Sequence, residues 1–179
     1  MEITLSASDG QPIGATVYGE GPRALLVMPA TGVPQSYYAK FAGYLAGRDF
    51  SVLTFDYRGI GRSRNGDIRA SSARMRDWAL LDAAAAFAFF GERNVSVVGH
   101  SFAGQALGLL PQPERIPAAL VVGSQSGYWR HWPALGRAWM WPATHLALPA
   151  LARLLGYFPA SRLGFGEDLP RGVAIEWAR

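Results

Sequence analysis

Apolar positions recur along the chain at two spacings, and the order in which the spacings alternate predicts the architecture. Alternation over residues 2–7 and 13–19 predicts two short strands. Between them, Ser8-Asp9-Gly10-Gln11-Pro12 is turn chemistry, so the two form an opening hairpin. Residues 24–28 are a continuous apolar run closed by Pro29, the pattern of a strand buried on both faces. Over residues 36–48, Tyr37, Phe41, Tyr44 and Leu45 recur at helical spacing, and residues 51–55 form another buried strand. A helix over 73–90 carries Met75, Trp78, Leu81 and Phe89 along one stripe and stops at Gly91. Residues 94–98 then read as a strand, 102–110 as a helix ended by Pro111, and 118–122 as a further strand. Strands alternating with helices imply right-handed crossovers and an α/β fold with a doubly wound, mostly parallel sheet.

The pattern changes after Gly123. Trp129, Trp132, Trp139 and Trp141 fall close together among Pro133, Pro142 and Pro149, without a strand signal. So much Trp, Leu and Phe argues against a disordered tail. The expected organisation is a core over residues 1–123 and a helical, Trp-rich cap over 124–179.

Composition narrows the functional classes. Half of the 179 residues are apolar, enough for one sizeable core, and 17% are charged, too few for a disordered chain. The absence of Cys excludes disulfides, thiolate metal sites and cysteine nucleophiles, and it suits a reducing compartment. The first residues carry no basic segment leading into an apolar one, so a cytoplasmic location is expected. The formal charge of +4 comes from Arg scattered along the chain, not from a cluster that would grip nucleic acid. The longest uncharged apolar stretch, 138–152, is broken by Pro142, His145 and Pro149 and falls short of the roughly 18 residues of a spanning helix, so no membrane span is expected.

Chemistry concentrates at Gly99-His100-Ser101-Phe102-Ala103-Gly104, at the junction of a buried strand and a helix. A Ser there must turn sharply between small neighbours, and its hydroxyl projects at the edge of the sheet as a nucleophile. Ala103 replaces the last Gly of the G-x-S-x-G pattern, but Gly104 follows directly. An ordinary Gly-Ser turn is the competing reading.

The sequence resembles the α/β-hydrolases. Besides the Ser101 turn, Phe55-Asp56-Tyr57-Arg58-Gly59-Ile60-Gly61-Arg62-Ser63 is similar to their D-x-R-G-x-G-x-S loop. Pro29-Ala30-Thr31-Gly32-Val33-Pro34-Gln35, Gln125-Ser126-Gly127-Tyr128-Trp129-Arg130-His131-Trp132 and Glu176-Trp177-Ala178-Arg179 resemble, more narrowly, a bacterial group of predicted α/β-hydrolases without a settled substrate. The resemblance implies a serine hydrolase with an acyl-enzyme on Ser101, acting on an ester, thioester or amide with an apolar group. It also implies two main-chain oxyanion donors, the N–H of Phe102 and that of Thr31, because Pro29 and Ala30 stand where many relatives have His-Gly. Trp129, Trp132 and His131 in the cap are the candidate substrate contacts.

One requirement is unmet in the sequence. A Ser nucleophile needs a base, normally in the chain order Ser, acid, His. Only His131 and His145 follow Ser101, both in the expected cap, and Asp168 follows both. His100 precedes the nucleophile with its side chain expected to point away. The resemblance therefore implies the front part of a longer enzyme, with two further sheet strands, the acid and the His beyond Arg179. The alternatives are a catalytically incomplete binding protein and an acyltransferase. Asp56, Arg58 and Ser63 are expected to brace the site. Gly59-Ile60-Gly61 is not a dinucleotide loop, Arg62-Ser63 is not a phosphate loop, and no metal-ligand spacing appears. The expected partner is a small molecule with an apolar part, without a cofactor.

Overall fold

The computed structural model describes residues 1–126 and 128–178. Six strands form one sheet in the order β1-β2-β4-β3-β5-β6: β1 (Glu2–Ser6), β2 (Pro12–Tyr18), β3 (Arg23–Met28), β4 (Phe50–Phe55), β5 (Val95–His100) and β6 (Ala119–Val122). The hairpin β1–β2 joins β4 in antiparallel fashion, whereas β4, β3, β5 and β6 are mutually parallel. The expected α/β sheet is therefore present.

Strand alternation divides the core between the two faces of the sheet. Leu25, Val27 and Val52 pack with Tyr38 and Ala42 at the start of α1 (Ala39–Ala46). Their neighbours Leu26, Met28, Leu53 and Phe55 pack on the opposite face with Trp78, Ala83, Ala86 and Phe87. The helix expected over 73–90 is built from α2 (Met75–Asp77), a π turn (Trp78–Asp82) and α3 (Ala83–Ala88). That wider turn buries Trp78 and Asp82 together. Asp82 accepts the Arg58 N–H at 2.9 Å and its Nε at 2.7 Å, while Trp78 Nε1 donates to the Arg58 carbonyl at 3.0 Å. The other edge of the guanidinium donates to both oxygens of Asp9, at 2.6 and 3.1 Å.

Beyond Gly123 lie α5 (Ala134–Pro142), a π turn (Ala143–Ala147), α6 (Leu148–Leu155), β7 (Tyr157–Phe158), β8 (Leu169–Pro170) and α7 (Arg171–Trp177). The expectation of no strand here is corrected, because β7 and β8 pair antiparallel. Each has two residues, too few to show alternation, and Pro170 ends β8. Phe158, Ala160, Leu169, Val173 and Ala174 are buried in the same core cluster as Trp78 and Phe102. Among the described residues, no helix is long and apolar enough to cross a membrane.

The parallel strands end level with one another. Met28 of β3 pairs with Gly99 of β5, and Gly99 pairs with Val121 of β6. The loops that leave β3, β4, β5 and β6 consequently gather at one edge, where ligands bind in open α/β sheets.

Candidate functional site

At that edge Ser101 links β5 to α4 (Phe102–Ala106) with φ 54° and ψ −114°, a conformation costly for any residue with a side chain. Three hydrogen bonds hold it. Its N–H donates to the Val122 carbonyl at 2.8 Å, and its own carbonyl accepts from Gly104 N–H at 3.0 Å and from Ser124 Oγ at 2.6 Å. The last bond depends on Gly104, where a Cβ would lie 2.1 Å from Ser124 Oγ and 2.4 Å from Val121 Cγ1. Gly99 leaves similar room, since a Cβ there would meet the Ala103 carbonyl carbon at 3.2 Å. Small residues around the serine are thus required by backbone and side-chain approach across the turn.

The loop after β3 lies beside this turn. Ala30 N–H donates to Tyr38 Oη at 2.9 Å, and the same hydroxyl shares a 2.9 Å hydrogen bond with His100 Nδ1. Burial pushes the Tyr38 hydroxyl up to about 12, so it stays protonated and ties the loop to β5. With Ala30 engaged, the next N–H of the loop is that of Thr31. Neither it nor the Phe102 N–H has an acceptor among the described residues. Thr31 Oγ1 is also buried without a partner. The loop is held from its other side by Glu167 N–H, which donates to the Gly32 carbonyl at 2.8 Å.

Ser101 opens into a cleft of about 390 Å³. Its walls include Phe102, Met75, Trp129, Trp132, Met140 and Trp177, with Gln105, Ser126, Thr144 and His145 as polar interruptions. Trp129 and Trp132 line the same cleft as Ser101, whereas His131 and Thr31 are not among the residues lining it. Sequence pattern did not reveal Ser124 or the Met75 and Trp177 walls, whereas His145 was among the histidines considered from the sequence. Only tertiary packing brings Trp177 of α7 and Met75 of α2 to the serine, although Trp177 belongs to a motif quoted above.

The three histidines each use Nδ1 away from the serine. His100 bonds Tyr38, His131 meets Ser126 Oγ at 3.2 Å, and His145 meets the Ala178 carbonyl at 2.6 Å. A carbonyl can only accept, so His145 donates to it through Nδ1–H. Among the described residues no histidine is hydrogen-bonded to Ser101 Oγ.

The loop after β4 is a brace. Asp56 is buried and accepts from Gln35 N–H at 2.7 Å, Gln35 Nε2 at 2.8 Å and Arg62 N–H at 2.9 Å. Ser63 Oγ donates to the Asp56 carbonyl at 2.6 Å and accepts from Gly14 N–H at 2.8 Å. The carboxylate of Asp56 and the hydroxyl of Ser63 are thus each committed to backbone groups of neighbouring elements. Gln35 belongs to the loop after β3, so this network also fixes the loop that carries Thr31. Asp168 accepts from Ser161 N–H and Oγ, at 3.0 and 2.6 Å.

Residues 25–179 match the alpha/beta hydrolase family. The chain belongs to that family. The alpha/beta hydrolase fold recurs in an esterase from Exiguobacterium antarcticum, at TM-score 0.66 and 16% identity, with 99% of this chain and 72% of that one covered. It recurs in a hypothetical protein from Pseudomonas aeruginosa, at TM-score 0.69 and 15% identity, covering 99% and 70%. An epoxide hydrolase from Vigna radiata gives TM-score 0.57 and 22% identity over 68% of this chain. The chain spans 37% of the length of that plant enzyme. At these identities the likeness is one of alpha/beta hydrolase fold alone.

Proposed function

We propose that this alpha/beta hydrolase transfers an acyl group to Ser101 from an ester, thioester or amide and releases it to water. In this reading Ser101 Oγ forms a bond to the carbonyl carbon, and the carbonyl oxygen becomes an oxyanion. Collapse breaks the bond to the alcohol, thiol or amine, which leaves with the serine proton. Water then cleaves the acyl-enzyme to a carboxylic acid and restores the hydroxyl. The supporting observation is the backbone at Ser101, a non-glycine residue held at φ 54° by its N–H bond to the Val122 carbonyl and by bonds to its own carbonyl from Gly104 N–H and Ser124 Oγ. Strain of this kind persists where the surroundings over-determine it, and here its result is a serine opening into a cleft. The uncommitted N–H groups of Phe102 and Thr31 fit the two donors that a tetrahedral intermediate needs. In this reading the helical segment over 128–155 caps the cleft, narrower than the expected 124–179 because Phe158, Leu169 and Val173 belong to the core, and its Trp129, Trp132 and Met140 favour an apolar acyl or aromatic group.

A second reading is favoured by one observation, the absence of a histidine bond to Ser101 Oγ among the described residues. In it the protein binds an apolar ligand without chemistry. A fluorophosphonate probe separates the two readings. Acyl transfer predicts one covalent adduct per chain, absent in Ser101→Ala. A chain that binds apolar ligands and stays inert to the probe supports the binding reading, and undiminished labelling of Ser101→Ala removes the nucleophile assignment.

A further inference from the structure

The helical segment that walls the Ser101 cleft also presents an unusual outer surface. Leu135 is 85% exposed and Trp139 58%, one helical turn apart on α5. Leu154 is 82% exposed on α6, beside the partly exposed Leu151 and Leu155, and Phe165 follows at 71%. Inner positions of the same segment, Pro149 and Ala152, are buried, so the segment packs on the protein with one side and leaves large apolar groups on the other. A soluble surface rarely groups so many of them without a use.

Charge identifies what this surface fits. No Asp or Glu lies between Glu114 and Glu167. Arg130, Arg137, Arg153 and Arg162 lie in that interval, all are exposed, and none forms an ion pair among the described residues. Arg130 lies over the Trp129 ring at 5.2 Å, and Arg137 Nε donates to the Trp132 carbonyl at 2.7 Å. Arginine, tryptophan and leucine exposed along one acid-free stretch of chain is the composition that lies in a membrane interface. Apolar groups enter the acyl boundary, and guanidinium groups remain with anionic headgroups. A second copy of the chain would set arginine against arginine with no carboxylate between. Nucleic acid would leave the leucines and Phe165 uncovered.

We propose that the exposed apolar residues of this segment, Leu135, Trp139, Leu154 and Phe165, dock on an anionic membrane together with its exposed arginines. Trp129 and Trp132 of the same segment line the cleft, so docking sets the mouth of that cleft near the bilayer. Docking stands apart from the acyl-transfer reading. The corollary that the apolar substrate is taken from the bilayer rests on it.

Flotation of the full chain with vesicles tests docking. The chain floats with phosphatidylcholine vesicles containing phosphatidylglycerol, floats poorly with phosphatidylcholine alone, and is released by high salt. Replacing Arg153 and Arg162 by Gln weakens partitioning about five-fold for each arginine removed. Leu154→Ser weakens it with the charge unchanged. Because these side chains are exposed, thermal unfolding of the variants should match that of the wild type, which controls for folding. Absence of flotation with anionic vesicles, equal flotation with neutral ones, or a stable dimer that does not float would overturn the proposal. Fluorophosphonate labelling in vesicle-free buffer is read on the same samples. Flotation without labelling removes only the acyl-transfer reading, and labelling without flotation removes only the docking.

Discussion

Asp82→Ala lowers the free energy of unfolding by about 3 kcal/mol, the lower end of the range for breaking a buried ion pair. The loss arises because Arg58 is nearly buried and its inner edge faces only Asp82. The bidentate bond to the half-exposed Asp9 remains, which keeps the cost from the upper end. Urea unfolding at neutral pH should show a lower midpoint at unchanged slope. A pH series adds an independent check. Burial pushes the Asp82 carboxyl up from the ordinary 3.8 to about 6, with the bonds from Arg58 opposing the rise. The folded state then holds this proton more tightly than the unfolded chain does. Its contribution is fully present below the unfolded value and is lost as pH rises through the folded one. Stability therefore declines between 3.8 and about 6 on account of Asp82. Asp82→Asn removes that slope. Asp9 moves the other way, held low by Arg58, so its effect falls below this window.

Gly104→Ala produces the largest change at the site. A Cβ 2.1 Å from Ser124 Oγ and 2.4 Å from Val121 Cγ1 cannot be accommodated unless both move. Displacing Ser124 removes its bond to the Ser101 carbonyl, and displacing Val121 disturbs the strand end whose Val122 carbonyl receives the Ser101 N–H. Overpacking costs about 1–3 kcal/mol, outweighing the roughly 1 kcal/mol of helix propensity gained from Gly to Ala. Displacement of the serine by about 1 Å slows its reaction with a fluorophosphonate by on the order of a hundred-fold. Gly108→Ala is the control. Nothing lies within 4 Å of a Cβ there, so the variant should label at the wild-type rate.

The sheet was legible because its strands announce themselves in two ways. The hairpin β1–β2 shows alternation, and β3, β4 and β5 show short apolar runs closed by turn residues. Ser101 was legible for a local reason as well, since strand, sharp turn and helix follow one another within a few residues. The bracing role of Asp56 and Ser63 was also expected and matches their hydrogen bonds. The cleft was much less legible. Met75 and Trp177, 102 residues apart in the sequence, reach it through packing of α7 against α2, which no period of 2 or 3.6 encodes. The hydroxyl of Ser124 is informative only once Gly104 is known to approach it. The pair β7–β8 was missed because two residues cannot display a period. The π turn at Trp78–Asp82 was missed because its widening follows from burying Asp82 against Arg58, a contact set by tertiary structure.

The most direct test of acyl transfer is to trap the intermediate. The chain is mixed with a p-nitrophenyl ester of a medium-length fatty acid, quenched in acid during the burst and digested with trypsin. Cleavage after Arg93 and Arg115 releases a peptide whose only serines are Ser96 and Ser101. An acyl mass on this peptide, fragmenting to Ser101 and absent from Ser101→Ala, is the predicted result. Turnover of the ester with the acyl group on another residue, or turnover that persists undiminished in Ser101→Ala, would contradict it.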